Sequence, residues 1–260
     1  MSSVKRRPVE DFASIFRALS RPAGDPVVLV GGHAVNVWAL AYQARIGRAL
    51  RAHFPLTSAD VDVYATRNGL LRLHHELGGQ LQLSGPREIT EGTLVIGVEP
   101  DTREIDVLRS VRGIPRVTAQ DTVALEVCGY AVPVLFPHLL LQGKLANAVH
   151  LDQAGRQDVK HVAVLALVLP AFLSEVVGAA TPVNEQPVLS LLQKTLRVVT
   201  SDDARAFTRA HGPLLQTVFG DAPAASALPR LAAFARRQLP RGLAVLAAAA
   251  REPGAGTKAG

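Results

Sequence analysis

The stretch that decides the fold opens as V-V-L-V-G-G-H-A-V-N-V-W-A-L over 27–40 and closes as F-P-L-T-S-A-D-V-D over 54–62. Val27 to Val30 are consecutive aliphatic residues, the pattern of a strand covered on both faces. Gly31 and Gly32 allow a sharp turn and a close approach of backbone to ligand. A helix starting near His33 would aim its first free N–H groups at that turn, a seat suited to phosphate. Asp60 and Asp62 then stand two apart on a second strand, so both carboxylates leave one face. A phosphate seat facing paired carboxylates describes a site for a magnesium nucleotide.

Working outward, the spacing of Phe12, Ile15, Phe16 and Leu19 predicts a short helix before this stretch, after a loose basic start at 1–8. R-P-A-G-D-P at 21–26 reads as a turn. Apolar residues from Ala34 to about Leu50 predict one long helix, with Trp38 in the core and His33 and Asn36 on its first turn. His33 reads either as a phosphate contact or as a polar capping residue. A helix at 68–77 ends at Gly78-Gly79, and adjacent His74 and His75 diverge on it toward the surface. Strands are expected at 80–83, 93–98, 103–108, 122–128 and 132–136. In R-E-I-D-V-L (103–108), Glu104 and Asp106 share a face opposite Ile105 and Val107. An acidic face in a buried strand is costly unless it is paired or metal-bound. The alternative is an edge strand with one solvated side.

From Pro137 the pattern turns helical, with helices expected at 137–151, 154–169, 170–178, 187–199, 202–210, 213–219 and 224–237, and an alanine-rich one ending near Arg251. The chain thus reads as α+β, a small mixed sheet with flanking helices at 1–136, then an all-α region at 137–251 and a disordered tail at 252–260.

Composition narrows the class. The chain has 260 residues, 48% of them hydrophobic, ample for a core and against general disorder. Net charge is +6 and pI ≈ 10.0, which suits nucleotides or nucleic acid, although the basic residues look scattered. One cysteine, Cys128, rules out an internal disulfide framework or a cysteine zinc site. The N-terminal residues show no apolar h-region of a signal peptide, and the apolar run at 162–173 contains Pro170 and is too short to span a bilayer. A cytoplasmic location without membrane contact is therefore expected.

Three carboxylates carry the chemistry: Asp60, Asp62 and Asp106. Two-metal phosphoryl chemistry uses oxygen ligands that bridge ions about 3.5–4 Å apart. A D-x-D alone is weak. G-G, then D-x-D, then a strand with a central aspartate, in that order, is considerably stronger.

G-G at 31–32, D-V-D-V at 60–63 and I-D-V at 105–107 resemble the polymerase-β-type nucleotidyltransferase superfamily. More narrowly, V-L-V-G-G-H-A-V-N-V-W-A at 28–39 and P-L-T-S-A-D-V-D-V at 55–63 resemble the AbiEii/MenT-like nucleotidyltransferase toxins of abortive-infection and toxin–antitoxin systems. K-L-A-N-A-V-H-L at 144–151 and G-R-Q-D-V-K-H at 155–161 resemble the helical region that closes over the nucleotide in that group. The resemblance spans roughly residues 25–170.

It implies a nucleotidyltransferase domain at 1–136 and an enzyme moving a nucleoside monophosphate from an NTP to a hydroxyl. It implies Asp60, Asp62 and Asp106 as catalytic metal ligands, with two Mg²⁺ ions. Gly31 and Gly32 would form the triphosphate turn, with His33, Thr57 and Ser58 nearby. Lys144 and Arg156 would reach the nucleotide from the helical region, and Asp158 would orient a basic neighbour. Many members carry serine where Gly32 stands. The expected acceptor is RNA, commonly a tRNA end, and a cognate antitoxin protein is a possible partner. A protein or small-molecule hydroxyl as acceptor, and a non-catalytic nucleotide- or RNA-binding module, are the alternatives.

Overall fold

The computed structural model describes residues 5–21, 27–99 and 101–251. The expected turn at 21–26 lies almost wholly outside those residues, as does the tail at 252–260. The chain divides into two units, Met1–Ala41 with Arg51–Gly143, and Tyr42–Leu50 with Lys144–Gly260. The division falls between Gly143 and Lys144, not at Pro137, and the first stretch of chain is split between the units.

The first unit begins with β1 (Arg7–Pro8) and a 3₁₀ turn, Val9–Phe12, leading into α1 (Ala13–Leu19). The expected loose start is thereby corrected at Arg7–Pro8. Arg7 is buried, and its guanidinium pairs with Asp11 at 3.7 Å and with Asp101 at 2.7 Å. Then come β2 (Val28–Leu29) and α2 (Gly31–Ala41), which starts two residues before His33. The single helix expected to reach Leu50 is two. α3 (Gln43–Arg51) follows a break at Tyr42 and is itself interrupted at Gly47, whose φ of 25° and ψ of −98° are not helical.

β3 (Thr57–Ser58) pairs with β1, and β4 (Val61–Tyr64) follows. α4 (Arg67–Leu77) is capped by Thr66, whose hydroxyl accepts the Gly69 N–H at 3.3 Å, and it ends at Gly78 as the sequence suggests. The hairpin strands are β5 (Gln80–Leu83), β6 (Thr90–Ile96), β7 (Arg103–Leu108), β8 (Thr122–Val127) and β9 (Tyr130–Leu135).

Seven strands form one mixed sheet in the order β5-β6-β7-β4-β2-β9-β8. At its centre β4 runs antiparallel to β2 and parallel to β7. Val61, Val63, Ile105 and Val107 are fully buried on one face, so alternation sends Asp62, Asp106 and Tyr64 to the other. Trp38 is core, as expected, and its indole N–H donates to the Leu135 carbonyl at 2.9 Å, tying α2 to β9. Arg109 grips Glu91 on β6 with two nitrogens, at 2.7 and 3.0 Å, and fixes the far end of the β6–β7 pair.

α5 (Pro137–His150) crosses the division between the units. The second unit continues with α6 (Asp158–Gly178), one helix where two were expected. Pro170 lacks the N–H that would reach the Ala166 carbonyl, yet the helix runs through it. α6 is consequently long and apolar enough to cross a membrane by length and composition, contrary to the expectation from the shorter run, and 56% of its apolar window is buried inside the protein. α7 (Glu185–Val199) and α8 (Asp202–His211) follow, then a 3₁₀ turn at Leu214–Thr217. The expected helix at 224–237 is three pieces: α9 (Ala222–Ala225), α10 (Pro229–Ala233) and a π-helical turn, Phe234–Gln238, that passes into α11 (Leu239–Arg251). Ser226, Leu228 and Pro229 explain the break, since Leu228 is extended ahead of a proline at the first helical position.

Candidate active site

Asp62 sits in β4 with its Cα opposite that of Asp106 in β7. Two adjacent parallel strands thus bring side chains 44 positions apart in the chain onto neighbouring points of one sheet face. Asp60 lies in the bend just before β4 and not in the strand itself. One carboxylate oxygen from each of the three residues lies within 4.8 Å of the others, and each residue is half-buried. Asp106 is braced from β6, where Thr93 stands opposite it and donates its hydroxyl to Asp106 Oδ1 at 2.6 Å. Ser58 donates to Asp60 Oδ1 at a long 3.4 Å.

The glycine turn belongs to the same cluster. The Val30 N–H donates to the Asp62 carbonyl at 3.0 Å, which docks the start of α2 against β4. Gly31 has φ of 66°, and a Cβ there would lie 2.6 Å from the Asp62 Cβ and on its carboxylate. No other residue fits, for two independent reasons: the left-handed backbone and the side chain lying across it. α2 starts at Gly31, so its first N–H groups lack acceptors within the helix, beside the Gly31 backbone that Asp62 packs against.

Glu104 stands on the same face of β7 as Asp106. Burial first, then repulsion from Asp106 and Asp60, holds its carboxyl above the usual range. Four acidic side chains therefore share one small region.

Three hard oxygen donors at this spacing fit a divalent cation such as Mg²⁺. Like charges so close repel, and a cation would offset that repulsion.

His33 leaves the proposed nucleotide-contact set. It is fully buried with its ring 4.4 Å from that of Phe12 and 6.4 Å from that of Phe16, edge-on to both. Neither ring nitrogen has a hydrogen-bond partner, and burial drives its pKa down to about 3. Its ring is packed among Phe12 and Phe16 and is closed off from solvent. Ser58 is buried and Thr57 half-buried in β3. Gly32 is buried in the first turn of α2.

Lys144 and Arg156 belong to the second unit and converge there on Asp158. Lys144 Nζ donates to Asp158 Oδ1 at 2.9 Å, Asn147 Nδ2 to the same oxygen at 3.4 Å, and Arg156 Nε to Oδ2 at 2.6 Å. Burial of Asp158 opposes its ionisation, but Lys144 and Arg156 outweigh burial and hold the carboxyl below its usual range. Arg156 precedes α6, so the helical divergence expected between positions 156 and 158 does not apply and the two side chains meet. Sequence patterning found every carboxylate here but missed Thr93, whose place opposite Asp106 is set by strand register alone. No family model, curated protein or solved structure matches this chain.

Proposed function

We propose that this protein is a nucleotidyltransferase that moves a nucleoside monophosphate from an NTP to a hydroxyl acceptor, most naturally on RNA. The observation that carries this reading is the convergence of Asp60, Asp62 and Asp106 beside a glycine that opens a helix. Pure nucleotide binding does not call for three converging carboxylates.

Asp60, Asp62 and Asp106 would hold Mg²⁺, which when bound supplies charge neutralisation at the transferring phosphoryl group. The N-terminus of α2 would receive triphosphate oxygens through backbone N–H groups, and Gly31 keeps that approach open. Thr93 holds the Asp106 carboxylate in one rotamer, so its free oxygen keeps a fixed direction. In the transfer, the acceptor oxygen bonds to the α-phosphorus while the bond from that phosphorus to the bridging oxygen breaks. Pyrophosphate leaves with the electron pair, and the hydroxyl proton passes to a base. The resemblance to toxin–antitoxin nucleotidyltransferases adds a cognate antitoxin to the proposed partners.

The test is incubation of purified protein with each labelled NTP, Mg²⁺ and total RNA, beside an Asp60→Ala variant. Label on a discrete RNA, absent with the variant, supports the reading and identifies the donor base. Label on protein moves the acceptor to a polypeptide. Tight NTP binding with no transfer to any acceptor overturns catalysis in favour of a binding module.

A further inference from the structure

The net charge is not spread along the chain. Residues 1–185 hold eighteen Lys and Arg against eighteen Asp and Glu, whereas residues 186–251 hold nine against three. The entire excess of +6 therefore lies in α7 to α11. No acidic residue occurs from Gln186 to Ser201 or from Ala222 to Arg251.

Helix geometry gathers part of this charge onto one face. Gln193 Nε2 donates to Gln238 Oε1 at 3.2 Å, and a Cβ on Gly242 would come 2.6 Å from Leu196 Cδ1. α7 and the rod formed by Phe234–Gln238 and α11 thus run side by side in the same direction, with 193 facing 238 and 196 facing 242. At about 100° per residue, one step on from the seam in α7 and one step back in its neighbour turn to the same side. Those steps are Lys194 and Arg197, and Arg237 and Arg241. All four are exposed and none is ion-paired among the described residues. On the opposite side Leu192, Val199, Leu239 and Leu246 are buried. Arg230 continues the row, with its guanidinium on Gln186 Oε1 at 2.7 Å.

We infer that this paired-helix face is a docking surface for the sugar–phosphate backbone of RNA. Two rows of unpaired cations on parallel helices match the spaced negative charges of a nucleic-acid strand. Arg outnumbers Lys there, as suits phosphate oxygens. No exposed aromatic side chain lies on the face, so contact is to backbone and not to bases stacked on aromatic rings. An anionic membrane fits less well, because Leu192, Val199, Leu239 and Leu246 are buried, which leaves Val245 as the one exposed large aliphatic side chain of the two helices among the described residues. The inference rests on RNA being the acceptor class, but its readout is binding, not turnover.

The test uses Lys194→Gln, Arg197→Gln, Arg237→Gln and Arg241→Gln together in the full chain, with fluorescently labelled total tRNA titrated at several salt concentrations. Removing four phosphate contacts should weaken binding at least about tenfold near 0.15 M salt and lower the slope of log K against log salt by roughly 3. The Arg237→Gln, Arg241→Gln pair alone should give about half that change in slope. A control removes the same charge elsewhere, at exposed Arg17, Arg48, Arg87 and Arg116. Equal losses in both sets, no loss in the first, or no RNA binding by the wild-type protein overturns the inference. Loss of binding to phosphatidylcholine–phosphatidylserine vesicles with RNA binding unchanged overturns it in favour of a membrane. Wild-type transfer to RNA with an unaffected face variant leaves the transferase reading standing. RNA binding through the face with no transfer does the reverse.

Discussion

Two charged clusters in this chain are built on opposite logic. In the sheet, Asp60, Asp62 and Asp106 bring like charges within 4.8 Å, and Glu104 is driven upward in pKa by burial first and by the same crowding second. In the helical unit, Asp158 lies buried between Lys144 and Arg156 and is driven downward. The helical cluster is neutralised by its own members, so it holds structure together. The sheet cluster concentrates negative charge, so it gains stability only when positive charge arrives. The same residue type thus gathers like charge in one place and is paired with opposite charge in the other.

The largest expected effect separates the two roles. Asp62→Ala should lower transfer at least about 100-fold, near 2.7 kcal/mol of barrier, while leaving the melting temperature unchanged or slightly raised, since it removes repulsion. Kinetics alongside thermal melts checks this, and a drop in stability comparable to that of a core mutation would break the comparison. Asp158→Ala should instead destabilise the fold by roughly 3 kcal/mol, because two cations lose a buried partner. Denaturant unfolding measures it, and a variant with full stability would show that the helical cluster does not serve folding.

His33 sharpens the contrast by being a titratable group kept neutral. Its folded pKa is about 3 against an ordinary 6.5, so below 6.5 the unfolded chain takes up a proton that the folded chain refuses. Stability should fall as pH drops from about 6.5, by roughly 2 kcal/mol at pH 5. His33→Leu should flatten that limb, and unfolding curves at several pH values would reveal a slope that survives the substitution and so belongs to other groups. The Asp158 contribution is distinct: it is present above the unfolded carboxylate range near pH 4 and is lost as pH falls through its lowered folded value. Smallest of all, Thr93→Val keeps shape but removes the hydroxyl from Asp106. About 1 kcal/mol is at stake. It should appear as a several-fold loss in transfer rate with unchanged NTP affinity, and an affinity loss instead would assign Thr93 to binding.

The carboxylate site was largely legible in the sequence because period-2 alternation is local. Val61, Val63, Ile105 and Val107 declare the buried face, and the aspartates between them must take the other. The glycine turn was legible as a turn, but the reason for Gly31 was not, since Asp62 reaches it only through the pairing of β2 with β4. His33 was misplaced because one residue of helical rotation decides between ligand and core, and Phe12 and Phe16 come from a separate element. Continuity of α6 through Pro170 was hidden because helix packing outweighs the loss of one backbone bond. The basic face was invisible as a motif, because its two pairs, Lys194 with Arg197 and Arg237 with Arg241, come from separate helices far apart in the chain.

Tyr42–Leu50 has a consequence for how the chain comes off the ribosome. The segment groups with the second unit, and its Tyr42 hydroxyl donates to Glu175, 133 positions later, at 3.1 Å. Arg45 meets the same carboxylate at 2.8 Å. At about 5–20 residues per second of synthesis, that partner emerges roughly 7–27 seconds after the segment does. During that interval Tyr42 and Arg45 lack the carboxylate they meet in the folded chain, so this segment completes its contacts only after Glu175 has been made.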